Sequence, residues 1–134
     1  MQLDPSLISL QTQPTSCTCV QTCIAMALNE DVSKVIELIG KNSMNQKELI
    51  VSLERFKIRH NQFVFGDIVS EGWHFAAVPS LNISGGLHEI LLHWNYETGM
   101  TILDPSPLKK YNSDGSNLKS WADLTYFIPG GKLI

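Results

Sequence analysis

The stretch Gln13-Pro14-Thr15-Ser16-Cys17-Thr18-Cys19-Val20-Gln21-Thr22-Cys23-Ile24-Ala25-Met26-Ala27-Leu28 changes texture in the middle, and the change decides how the chain is read. Up to Thr18 it is polar and broken by proline. After Thr18, Val20, Cys23, Ile24, Ala27 and Leu28 recur at i, i+3, i+4, i+7 and i+8, the spacing of a helix with one buried stripe. Thr18-Cys19-Val20-Gln21 fits the S/T-x-x-E/Q box, so Thr18 is expected to cap the helix, with Gln21 reaching back to its amide. Cys19 is then the first helical residue, where free backbone N–H groups and the positive end of the dipole favour a thiolate. Cys23, one turn on, falls inside the apolar stripe and reads as a small core residue. Cys17 precedes the cap and lacks that field.

Working outward, Asp31 is placed to cap a second helix bearing Val32, Val35, Ile36 and Ile39, closed by Gly40. A third begins at Asn45 with Glu48 at the box position, Met44 and Leu49 stapling its entry, and Leu49, Ile50, Leu53 and Phe56 on its apolar face. From about residue 61 the segments 62–65, 75–79, 87–94, 100–103 and 124–128 are short, rich in β-formers and bounded by turn residues. Helices first and strands afterwards predict an α+β domain with an antiparallel sheet. Residues 1–16 read as an extended lead-in and 106–119 as a surface loop.

At 134 residues the chain has the length of one domain, 1–134, and its 43% apolar and 17% charged content is that of an ordinary globular protein. A net charge of -3 and scattered basic residues give no footprint for nucleic acid. No apolar run is long enough for a membrane span, and the first residues lack the pattern of a secretory signal. All three cysteines lie between positions 17 and 23, which suits reactive chemistry in a reducing cytoplasm better than a disulfide scaffold.

A thiolate nucleophile needs a base. Period-two alternation puts His88 with Ile90, Leu92 and Trp94, and turns Glu89, Leu91 and His93 the other way, so His88 and His93 do not serve one site. His88 follows Gly85-Gly86 at a strand end where substrate can approach. His60 reads as a solvated residue in a charged helix tail, and His74 is open. The candidate for the orienting carboxylate is Asp104, just before Pro105, which on its own reads as a turn-forming Asp-Pro. A hairpin symmetric about Tyr96 sets Asp104 beside His88, whereas a turn centred one or two residues later moves it away along the ladder. The loop 95–99 permits either.

These residues resemble the papain-like cysteine peptidase superfamily, in particular its small bacterial and phage branch related to bacteriocin-leader (double-glycine) peptidases. The likeness rests on Gln13 six residues before Cys19, Ala25-Met26 within the helix, Gly86-Leu87-His88 and Asp104-Pro105 in that order. Gln11 and Cys17 have the same interval but lose the capping box. The resemblance implies a papain-like fold and a thiol hydrolase without cofactor, acting on a peptide, isopeptide or side-chain amide bond of a peptide or protein substrate. It implies that Cys19 attacks, His88 carries the proton, Asp104 holds His88, and Gln13 with the Cys19 amide forms the oxyanion hole. Many members carry glycine directly after the nucleophile where this chain has Val20, which directs the expectation away from general proteolysis. Two rivals stand beside it: a non-catalytic papain-like binding module, and a zinc protein using Cys17, Cys19, Cys23 and a histidine, which lacks the second, distant ligand pair of ordinary zinc sites.

Overall fold

The computed structural model describes residues 8–61, 70–82 and 84–134. Three helices precede an antiparallel sheet, as expected: α1 (Cys19–Leu28), α2 (Val32–Ile39), α3 (Gln46–Arg55), then β1 (His60–Asn61), β2 (Gly72–Pro79), β3 (Leu87–Asn95), β4 (Gly99–Leu103) and β5 (Asp123–Phe127). The five strands run in the order β1-β5-β2-β3-β4. The expected strand 62–65 lies outside the described residues. The other four occur, with β2 starting three residues earlier than the β-former pattern suggests because Trp73 and His74 pair with His93 and Leu92.

The helix starts obey local chemistry in two cases out of three. Asp31 accepts from the Ser33 amide at 2.9 Å, and Asn45 and Glu48 form the full reciprocal capping box. The box expected at Thr18 and Gln21 does not form. The Thr18 hydroxyl is engaged with Thr15, donating to its carbonyl at 3.1 Å, and no side chain caps α1. The Gln21 amide instead donates to the carbonyls of Gly40 (3.1 Å) and Asn42 (2.7 Å), tying α1 to the loop after α2. A buried amide with two carbonyls to satisfy gains more there than at a helix end that the Thr15 turn already closes.

Two apolar layers sandwich the sheet. On the helix side, Cys23, Ile24, Met26, Leu49, Leu53 and Phe56 pack on Trp73, Phe75, Leu91 and Phe127. On the other side, Ala76, Val78, Ile90, Leu92, Ile102 and Leu124 are covered by Tyr111, with Leu118 and Trp121 against them. The 106–119 segment is therefore more than a surface loop: its Tyr111 is 5% exposed and seals the second layer. His60 is also corrected. Lys57 turns into the left-handed region after α3, so His60 falls in β1 with its Nδ1 against the Ile58 carbonyl at 2.8 Å.

The chain's end closes over the helices. The Gly130 amide donates to Ala27 and the Lys132 amide to Phe56, at 3.0 and 2.7 Å. Between them Gly131 has φ 104, and a Cβ there would stand 2.6 Å from the Phe56 carbonyl oxygen. Gly131→Ala is therefore expected to cost about 2 kcal/mol or more of unfolding free energy, from positive-φ strain plus a clash with backbone that has nowhere to move. Urea denaturation of the two proteins measures it.

Candidate active site

The first turn of α1, the start of β3 and the end of β4 converge. Thr22 donates through its amide (3.0 Å) and its hydroxyl (2.7 Å) to the Thr18 carbonyl, which fixes the first turn and leaves the Cys19 and Val20 amides without helical acceptors. Cys19 is partly buried there, Cys17 is exposed and Cys23 is wholly buried, so the three thiols stand in three different environments. Among the described residues, no cluster of three or more metal-ligating side chains occurs, and no helix is long and apolar enough to cross a membrane.

His88 lies one residue from the start of β3. Its Nε2 meets Oδ1 of Asp104 at 2.7 Å, which leaves Nδ1 as the ring nitrogen available to the neighbouring Cys19 thiol. The hairpin is centred on Glu97, not Tyr96, since Leu91 faces Leu103 and Asn95 faces Gly99. Asp104 thus stands two places along the ladder from His88, the register expected to part them. They meet all the same. A shift of two residues keeps both side chains on one face, and a diagonal pair is within reach of an imidazole.

Asp104 is 5% exposed and its carboxylate is fully used. Oδ1 also accepts from the Ser106 amide at 2.9 Å, and Oδ2 from the Tyr111 amide at 3.3 Å. The Tyr111 hydroxyl donates to the Pro79 carbonyl, pinning the strap to β2. Burial alone would raise the Asp104 carboxyl, but the His88 hydrogen bond, these amides and the His88 charge outweigh it and hold it below the usual carboxylate value.

The Cys19–His88 pair favours separated charges. Burial pushes the Cys19 thiol up, yet the His88 hydrogen bond, the Glu89 and Val20 amides and the His88 charge bring it below the ordinary 9.0. Burial likewise pushes His88 down, and hydrogen bonds to Asp104 and Cys19 reverse it, raising the imidazole to about 9. The other buried histidines go the opposite way. Burial lowers His74 to about 4, and it also lowers His93.

Gln13 lines the same cleft as Cys19 and His88, a cavity of about 340 Å³ also walled by Ser106 and Leu108. Its backbone amide donates to Pro105 at 2.8 Å and its Nε2 to the Thr15 carbonyl at 2.9 Å, which leaves one N–H of the side-chain amide for a ligand. Gln11 does something else: it bridges the Glu30 carbonyl and the Val32 amide at the start of α2. The structure thus brings together Cys19, His88, Asp104 and Gln13. It adds two features that sequence reasoning did not single out. One is the amide cradle of Asp104, whose Ser106 half is a local Asp turn while its Tyr111 half, seven residues on, has no local signal. The other is Glu89, 6% exposed beside Cys19, whose shared alternation with Leu91 already put a carboxyl on a buried face.

No protein-family profile matches this chain, and no curated protein matches it by sequence. By structure it is similar to the peptidase domain of Streptococcus ComA, a bi-functional ABC transporter involved in quorum sensing. The TM-score is 0.63 at 14% identity, over 91% of this chain and 98% of that one. The fold is therefore the papain-like α+β arrangement expected from the sequence: helices carrying the thiol against an antiparallel sheet.

Proposed function

We propose that this protein is a cysteine hydrolase that cleaves a peptide, isopeptide or side-chain amide bond through Cys19, His88 and Asp104, with Gln13 and the Cys19 amide as the oxyanion hole. The observation that carries it is the chain of contacts from a helix-terminal thiol through His88 to a buried, fully hydrogen-bonded Asp104, set in an open cleft. A metal-free binding frame has no need of a thiol held below its ordinary value. The likeness to a peptidase domain supports the fold on which this chemistry sits.

In the proposed reaction the Cys19 thiolate attacks the carbonyl carbon, and the oxygen takes the electron pair while facing the Gln13 N–H and the Cys19 amide. Imidazolium His88 gives its proton to the leaving nitrogen as the C–N bond breaks, leaving a thioester. His88 then takes a proton from water, whose oxygen attacks the thioester, and the returning proton restores the resting pair as the acid departs.

A mild alkylating agent tests this. Adduct mapping is expected to find Cys19 modified in the folded protein at pH values below 9, while Cys23 reacts only after unfolding. Absence of reaction at Cys19 in the folded protein favours the binding-module rival and overturns the proposal. The pH profile of turnover is expected to rise below pH 9 as the pair ionises and to fall near 9 as His88 loses the proton it must deliver. A profile that climbs through pH 9 without falling contradicts the imidazolium step.

A further inference from the structure

A smaller cavity of about 140 Å³ shares Cys19, Leu87 and His88 with the Gln13 cleft. The sheet builds its floor. Ala77 pairs with Glu89 of β3 on one side and with Asp123 of β5 on the other, so the three form one row on the helix-facing side. Strands are spaced at about 4.8 Å, and the alanine between them leaves room for both carboxyls to lean over it. Cys19, Met44, Asn45 and the first residue of α3, Gln46, supply the walls together with His88.

The polar balance of this cavity is one-sided. Glu89 is 6% exposed and, among the described residues, its Oε2 has no hydrogen-bond partner. A buried carboxyl oxygen left so is costly unless something meets it. Asp123, across Ala77 from it, also lines the cavity and is exposed. No lysine or arginine is among the residues found to line the cavity. A thiolate at Cys19 is matched by the charge that His88 carries below about 9. At the start of α3 the reciprocal capping box takes the Asn45 and Glu48 amides.

Building on the hydrolase reading above, we propose that this cavity is a substrate subsite for an ammonium-bearing chain, such as a lysine side chain next to the cleaved bond, held between Glu89 and Asp123. Burial, with the neighbouring Cys19 and Asp123 charges, raises the Glu89 carboxyl well above its usual value and favours its neutral form, with the His88 charge opposing. A neutral Glu89 spares the thiolate a second negative neighbour. An arriving ammonium supplies the counter-charge that lets Glu89 ionise and pair with it.

Two thiol reagents of matched size test the subsite without a known substrate. Aminoethyl methanethiosulfonate carries an ammonium on a chain that hangs from the Cys19 sulfur, and ethyl methanethiosulfonate is its neutral counterpart. Each transfers its alkylthio group to the thiolate, forming a disulfide and releasing methanesulfinate. In a Cys17→Ser background the cationic-to-neutral rate ratio at Cys19 is expected to exceed that of a small free thiol by about ten-fold. Glu89→Gln/Asp123→Asn should return it to the free-thiol value. Asp123→Asn alone, at an exposed site that does not threaten the fold, should remove about half of the preference on a logarithmic scale. A ratio at Cys19 equal to that of the free thiol, or one indifferent to these substitutions, overturns the subsite while leaving Cys19 a nucleophile. Failure of the neutral reagent to modify Cys19 overturns the nucleophile and the subsite together.

Discussion

His88→Ala is expected to reduce turnover by about 10²–10⁴-fold, because one substitution removes both the proton carrier and the main influence lowering the thiol's pKa. The structure also gives this variant a readout that needs no substrate. Without the His88 hydrogen bond and charge, the burial that pushes Cys19 up is opposed only by the Glu89 and Val20 amides. The pH midpoint of Cys19 alkylation should therefore move upward, toward or past 9.0, and the rate at pH 7 should fall. The fold is expected to survive, since the His88 side chain is 12% exposed at a strand end and supports neither apolar layer. Thiol labelling across pH on the folded variant decides it; an unmoved midpoint removes His88 from the pair.

The second large effect is at Asp104. Asp104→Ala takes the acceptor from the His88 ring and from the Ser106 and Tyr111 amides at once, in a place that is 5% exposed. Stranding these donors is expected to cost about 3–5 kcal/mol of unfolding free energy, and activity falls because the imidazole loses its orientation. Asp104→Asn retains one carbonyl oxygen, which can still accept from Ser106 and His88, but its NH₂ then confronts the Tyr111 amide. It should cost about 1–3 kcal/mol and keep part of the activity. The sign with pH follows from the lowered carboxyl. Its stabilisation is fully present above the ordinary carboxylate value of 3.8 and is lost as pH falls through the lower folded value. The parent should therefore lose stability on acidification below about pH 4, and the difference between parent and Asp104→Ala should shrink there. Denaturation at a series of pH values measures both.

The parts legible in the sequence were those governed by short-range rules. The i, i+3, i+4 stripe ending at Leu28 and the Asn45–Glu48 box are one-dimensional signals, and α1 and α3 follow them. Alternation along 87–94 sorted Leu91 from Ile90 and Leu92, and the two apolar layers divide along that line. What escaped depends on partners far off in the chain. Thr18 lost its role to Thr15, and Gln21 found Gly40 and Asn42, because competing acceptors are invisible in a local window. The His88–Asp104 pair was left open by spacing, since the position of the turn depends on how Asn95 caps Glu97 and Thr98, at 2.8 and 3.0 Å. Asp123 could not be tied to Glu89 at all until β5 was known to lie beside β2.

That placement of β5 bears on how the molecule comes into being. The last strand in the chain occupies an interior position of the sheet, between β1 and β2, and the tail beyond it stitches α1 to α3. During synthesis Cys19 and His88 emerge before β5, and the sheet is incomplete until residue 127 has been made. Such long-range closure makes folding slow relative to helical domains. In a growing chain the helix bearing Cys19 can already meet β3, whose neighbours β2 and β4 both precede residue 104, whereas the row that sets Asp123 across Ala77 from Glu89 forms only once β5 has joined the sheet.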